Sequence, residues 1–188
     1  MSWLPAGITV VLVIVFTGSA FAQDTPKAEV SGGYNWLTAK ESGDEDWERF
    51  PKGWYFDVVG NVSDTLSVAG LVTGNYKTFD DPDGDFDLKI HSFMAGLRWS
   101  PPGRVRVFGQ FLAGGAAVNG SQGSLTESQT NFAVQFGGGV NVMGPGNVGL
   151  RVGLDYLRLL RKEDEVILDD RLNGVRVSVG VTFGVGMR

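Results

Sequence analysis

The stretch Val175-Arg176-Val177-Ser178-Val179-Gly180-Val181-Thr182-Phe183 decides the fold. Successive strand side chains point to opposite sides, so this run sets valines and a phenylalanine on one face and Arg, Ser, Gly and Thr on the other. Working outward from it, the same two-residue repeat marks strands near 28–38, 52–62, 66–77, 90–100, 104–117, 130–142 and 147–159, with this one near 172–183. No long apolar run at helical spacing lies between them.

The greasy face carries Val30, Tyr34, Trp36, Trp54, Phe56, Val58, Val68, Val72, Phe93, Leu97, Phe111, Phe132, Phe136, Val152 and Leu154, among others. The opposite face carries Ser31, Asn35, Asp57, Asn61, Ser67, Thr73, Asn75, Arg98, Arg104, Arg106, Gln110, Asn131, Gln135, Asn141, Arg151, Asp155 and Arg176. That second face holds almost no Lys or Glu, which collect in the connections and at strand ends. A water-facing surface would be about a quarter to a third mixed charge. A lipocalin-like barrel with the greasy face inward is therefore disfavoured, and its Trp and Phe would also crowd eight strands. The pattern fits a closed barrel in lipid, with a narrow polar lumen.

The connections add direction. Ser63-Asp64-Thr65, Pro101-Pro102-Gly103 and Met143-Gly144-Pro145-Gly146 read as tight turns. Those near 39–51, 78–89, 118–129 and 160–171 read as loops of about a dozen residues, rich in charge or in Gly, Ser and Gln. Strict alternation puts every short turn on one rim, beside both termini, and every long loop on the other. Trp36, Trp54, Tyr76 and Tyr156 fall near the long-loop rim, and Trp99 and Phe183 near the short-turn rim, as two aromatic girdles. The expected fold is an all-β, eight-stranded antiparallel transmembrane barrel in up-and-down meander order.

Residues 1–22 read as a secretory signal. Ile8 to Phe16 is an apolar core, and Ala20-Phe21-Ala22 a small-residue cleavage site, although Met1 to Gly7 holds no Lys or Arg. An uncleaved anchor is the alternative, since Trp3 to Ala22 is about long enough to span a bilayer. Residues 23–188 then form one barrel domain. The net charge of −5 and the absence of a basic patch argue against nucleic acid. With no cysteine and a single histidine, thiol and multi-histidine metal sites are excluded.

Several motifs resemble the bacterial outer-membrane β-barrel family that includes the transmembrane domain of outer membrane protein A. They are Val30-Ser31-Gly32-Gly33-Tyr34, Gly53-Trp54 with Gly60-Asn61-Val62, His91 to Arg98, Phe108 to Gly115, Phe136 to Val140, and Leu154-Asp155-Tyr156-Leu157. The resemblance implies an outer-membrane location with long loops outside and termini in the periplasm. It also implies lipid and lipopolysaccharide neighbours, help from the barrel assembly machinery, and a monomer. Two departures are visible. The sequence runs Gly184-Val185-Gly186-Met187-Arg188 after Phe183 rather than finishing on an aromatic, and the resemblance covers the barrel alone, so a peptidoglycan-anchoring role is not expected.

The lumen set Asp57, Arg98, Arg104, Arg106, Arg151, Asp155 and Arg176 is the strongest chemical constellation. It reads as an ion-pair network filling the lumen, or as a gate for small solutes. Asp81, Asp83, Asp85 and Asp87 alternate around Gly84 in a manner that can ligate Ca²⁺, but no Glu closes the loop, and a solvated acidic loop is the simpler reading. His91 and Ser92 are adjacent and so face opposite ways on a strand, which argues against a His–Ser lipid-modifying pair. No cofactor is expected. The functional expectation is a non-enzymatic membrane protein with a structural or surface-interaction role; a narrow porin-like channel is the alternative, and a lipid-modifying enzyme a third reading.

Overall fold

The computed structural model describes residues 26–41, 47–79, 86–122, 125–160 and 172–187. Its strands are β1 (Pro26–Glu41), β2 (Glu48–Phe50), β3 (Lys52–Asn61), β4 (Leu66–Phe79), β5 (Phe86–Trp99), β6 (Val105–Gln122), β7 (Leu125–Met143), β8 (Val148–Leu160) and β9 (Leu172–Met187). Each consecutive pair from β3 onward is antiparallel, and β1 pairs with both β3 and β9. The sheet therefore closes on itself and leaves no long edge, the arrangement a membrane demands because hydrocarbon offers no hydrogen bonds.

β2 and β3 are one barrel strand interrupted at Pro51. Tyr34 pairs with Trp54, but Leu37 pairs with Phe50, so the β2–β3 side carries one extra residue. Proline has no N–H to give the ladder, and a bulge is where a strand accommodates it. The bulge also flips the alternation. Phe50 points inward and is buried, although β3 sends its even-numbered residues outward.

Two expected loops are shorter than the sequence implied. The β6–β7 ladder runs without a break to Gln122↔Leu125, and the β4–β5 ladder to Phe79↔Phe86. The expected loop at 118–129 is thus mostly hairpin. No proline interrupts residues 118–122, so the ladder carries on past the expected strand end. Residues 1–25, with the signal-peptide reading, and residues 80–85 lie outside the described residues, as do 42–46, 123–124 and 161–171.

The opposite rim is built from tight turns. The β7–β8 turn places Gly146 and Asn147 at φ 73° and 60°. That left-handed region favours Gly and tolerates Asn.

Candidate functional site in the barrel lumen

Alternation carries from sequence to packing with little loss. β3 and β8 alternate exposed and buried residues along most of their length. Phe93, Leu97, Phe111, Phe136, Leu150 and Leu154 each expose more than half of their surface. So broad an apolar belt exceeds what a water-facing monomer carries and matches a lipid-facing band. Trp36 and Trp54 stand at its long-connection rim and Trp99 and Phe183 at the other, while Tyr76 and Tyr156 are half-buried. Trp54 Nε1 donates to the Tyr76 hydroxyl at 3.0 Å, and the Tyr156 hydroxyl to Asn173 Oδ1 at 2.8 Å.

Inside, the lumen has two layers. Toward the short turns and the middle lies the charged one. Arg98 and Arg151 both donate from Nη2 to Asp57 Oδ2, at 2.5 and 3.0 Å. Arg98 also donates to Gln110 Oε1, from Nη2 at 2.6 Å and Nε at 3.1 Å, and Gln110 Nε2 donates to Asp155 Oδ1 at 2.7 Å. The two guanidiniums stack on the Phe108 ring, 4.8 and 4.1 Å from its centroid. Gly139 makes room for that ring, since a Cβ there would lie 2.7 Å from Phe108 Cζ. Below, Arg106 holds Glu29 in a two-pronged pair at 2.6 and 2.9 Å. Above, Arg176 Nη1 donates to Gln135 Oε1 at 2.6 Å.

The second layer is largely apolar, with Asn35 and Asn75 buried beside it. Leu37, Phe50, Ile90, Leu112, Leu157 and Leu159 pack together, all buried, toward the long-connection rim. Between the layers remains a cavity of about 10 Å³ lined by Tyr55, Thr73, Arg151 and Arg176, with Asp57 and Asp155 also on its wall. That is room for one small particle.

Of the residues singled out from sequence, Asp57, Arg98, Arg106, Arg151, Asp155 and Arg176 are brought into the lumen and buried. Arg104 is not. It precedes β6 in the turn, is exposed, and donates from Nε to the Met143 carbonyl at 3.1 Å, because the strand begins one residue later than expected. Asp87 lies on β5 and accepts from Thr78 Oγ1 at 2.8 Å. Asp81, Asp83 and Asp85 lie outside the described residues, among which no cluster of three metal-ligating side chains occurs.

Glu29, Phe108 and the whole apolar layer escaped the sequence reading. Glu29 shares the inward parity of Ser31, which was the available signal. His91 faces outward beside Tyr76, 3.2 Å from its hydroxyl, and Ser92 is buried inside. The strand partners of His91 are Gly74 and Ala117, so no serine flanks it.

The family model for the outer membrane protein β-barrel domain matches residues 8–183. Among solved structures, the chain is similar to Neisserial surface protein A, with 16% identity, a TM-score of 0.65, and coverage of 84% of this chain and 97% of that one. It is also similar to Ail, the attachment invasion locus protein of Yersinia pestis, at 19% identity and TM-score 0.56, covering 85% and 99%. OprG of Pseudomonas aeruginosa gives 10% identity and TM-score 0.56, covering 88% and 98%. At these identities the likeness is one of fold. No curated protein sequence matches the chain.

Proposed function

This chain belongs to the outer membrane protein β-barrel family, and we propose that it works through its rim and outer surface, as a non-enzymatic protein with a structural or surface-interaction role. It is an integral β-barrel of the bacterial outer membrane. The observation that carries the proposal is the filled lumen. An apolar layer sits on a charged one, and among the described residues the cavity beside the arginines measures about 10 Å³. The long-connection rim is then the working end, placed outside the cell, with the termini in the periplasm.

A narrow channel is the second reading, favoured by the chain of polar contacts from Arg151 through Asp57, Arg98 and Gln110 to Asp155. Planar-bilayer recording of the purified barrel decides between them. The expected record is free of steady, ion-selective steps. Steps that disappear in Arg98→Ala or Arg151→Ala would establish the channel instead.

The partners that fit the outer face are membrane lipids and lipopolysaccharide, with the barrel assembly machinery acting during biogenesis on a monomer. Lys52, Tyr76 and Lys89 stand side by side across β3, β4 and β5 on the outward face of the long-connection rim. No ion pair occupies Lys52 or Lys89 among the described residues. A lysine near an anionic surface contributes about 1 kcal/mol. The double variant Lys52→Gln, Lys89→Gln is therefore expected to retain severalfold less lipopolysaccharide after detergent extraction. Retention equal to the parent barrel's would remove these lysines from the interface.

A further inference from the structure

We propose that the lumen binds one small monovalent anion, a halide such as chloride, between Arg151 and Arg176. The charge balance leads there. The charged side chains buried inside the barrel, among the described residues, are Arg98, Arg106, Arg151 and Arg176 against Glu29, Asp57 and Asp155. Glu29 takes both prongs of Arg106, so that lower pair is neutral. Above it three guanidiniums face two carboxylates. A guanidinium does not shed its proton in a protein. An uncompensated charge shut inside a barrel at membrane depth is costly, and such charges are paired in stable structures.

The local chemistry agrees with the balance. Tyr55 Oη, Thr73 Oγ1, Arg151 Nη1, and Arg176 Nε and Nη2 are all buried without a hydrogen-bond partner, and all four residues line the 10 Å³ cavity. Asp57 Oδ1 is the one unpartnered atom on the same wall that can only accept, against three guanidinium nitrogens that can only donate, and Asp155 adds a carboxylate already held by Gln110. Groups that can only donate thus outnumber the one that can only accept. A water accepts about two hydrogen bonds. A halide accepts from every direction and supplies the missing negative charge.

The test is urea unfolding of the full barrel in lipid vesicles, with sodium chloride, sodium bromide or sodium gluconate at constant ionic strength. For a ligand bound only by the folded state, the folded-to-unfolded ratio is expected to rise about tenfold per tenfold chloride above its dissociation constant. Bromide should act alike and gluconate should not. Thr73→Asp sets a carboxylate into the cavity and should abolish the halide dependence, as should Arg176→Gln, which removes the surplus charge. A ratio that ignores the identity of the anion overturns the site. Should neither variant fold, crystals of the parent barrel grown in bromide decide: an anomalous peak beside Arg151 and Arg176 supports the anion, and density for water alone overturns it.

Discussion

Asp57→Ala is expected to destabilise the folded barrel by about 3–5 kcal/mol, the cost of stranding a buried charge whose partner is removed. The effect should sit at the upper end because one carboxylate oxygen serves two arginines. Removing it leaves Arg98 and Arg151 stacked on the same Phe108 ring and repelling each other. Asp57→Asn keeps the shape and an acceptor but loses the charge, so it should fall between the parent and the alanine variant. The double variant Asp57→Ala, Arg151→Ala should recover part of the loss, since it deletes one of the stranded cations. Urea midpoints in lipid vesicles, read by the shift in gel migration between folded and boiled barrel, give all four values. If Asp57→Ala unfolds at the parent midpoint, the lumen network carries no stability, and the gate reading of these residues gains ground.

How much of this was legible in the chain follows from what a two-residue repeat encodes. The last strand alternates so cleanly that Arg176 had to face inward once Val175 and Val177 faced lipid. Asp57, Arg98, Arg151 and Asp155 followed by the same parity. Parity says nothing of partners, however. That Asp57 is shared by two arginines depends on the stagger of three distant strands, and no local signal carries that. Arg104 shows the opposite failure: its alternation is correct, but the strand starts one residue after it. The apolar layer was hidden for another reason. Where Phe111 is followed by Leu112, both faces are apolar and alternation carries no contrast. Phe50 was further concealed by the Pro51 bulge, which reverses parity in a way only the pairing reveals.

The membrane assignment meets its sharpest test at Phe93. This side chain lies on the outward face of β5 between Val72 and Gly115, and 60% of it is exposed. Arginine on a lipid-facing strand costs about 2–4 kcal/mol at mid-membrane and about 0–1 near the interfaces. Phe93→Arg is therefore expected to lower the unfolding free energy in lipid vesicles by roughly 2–4 kcal/mol. The same substitution at Val62, in the β3–β4 turn outside the belt, should cost little. Phe93→Leu, which keeps the site apolar, separates loss of ring packing from the cost of charge. A barrel that lived in water would behave in the opposite sense. An exposed phenylalanine exchanged for arginine there would be neutral or would improve solubility, and Arg176, not Phe93, would be the tolerant position. Equal midpoints for the parent and Phe93→Arg barrels would mean that hydrocarbon does not touch β5. The inward placement of every charged residue in the lumen would then need another cause.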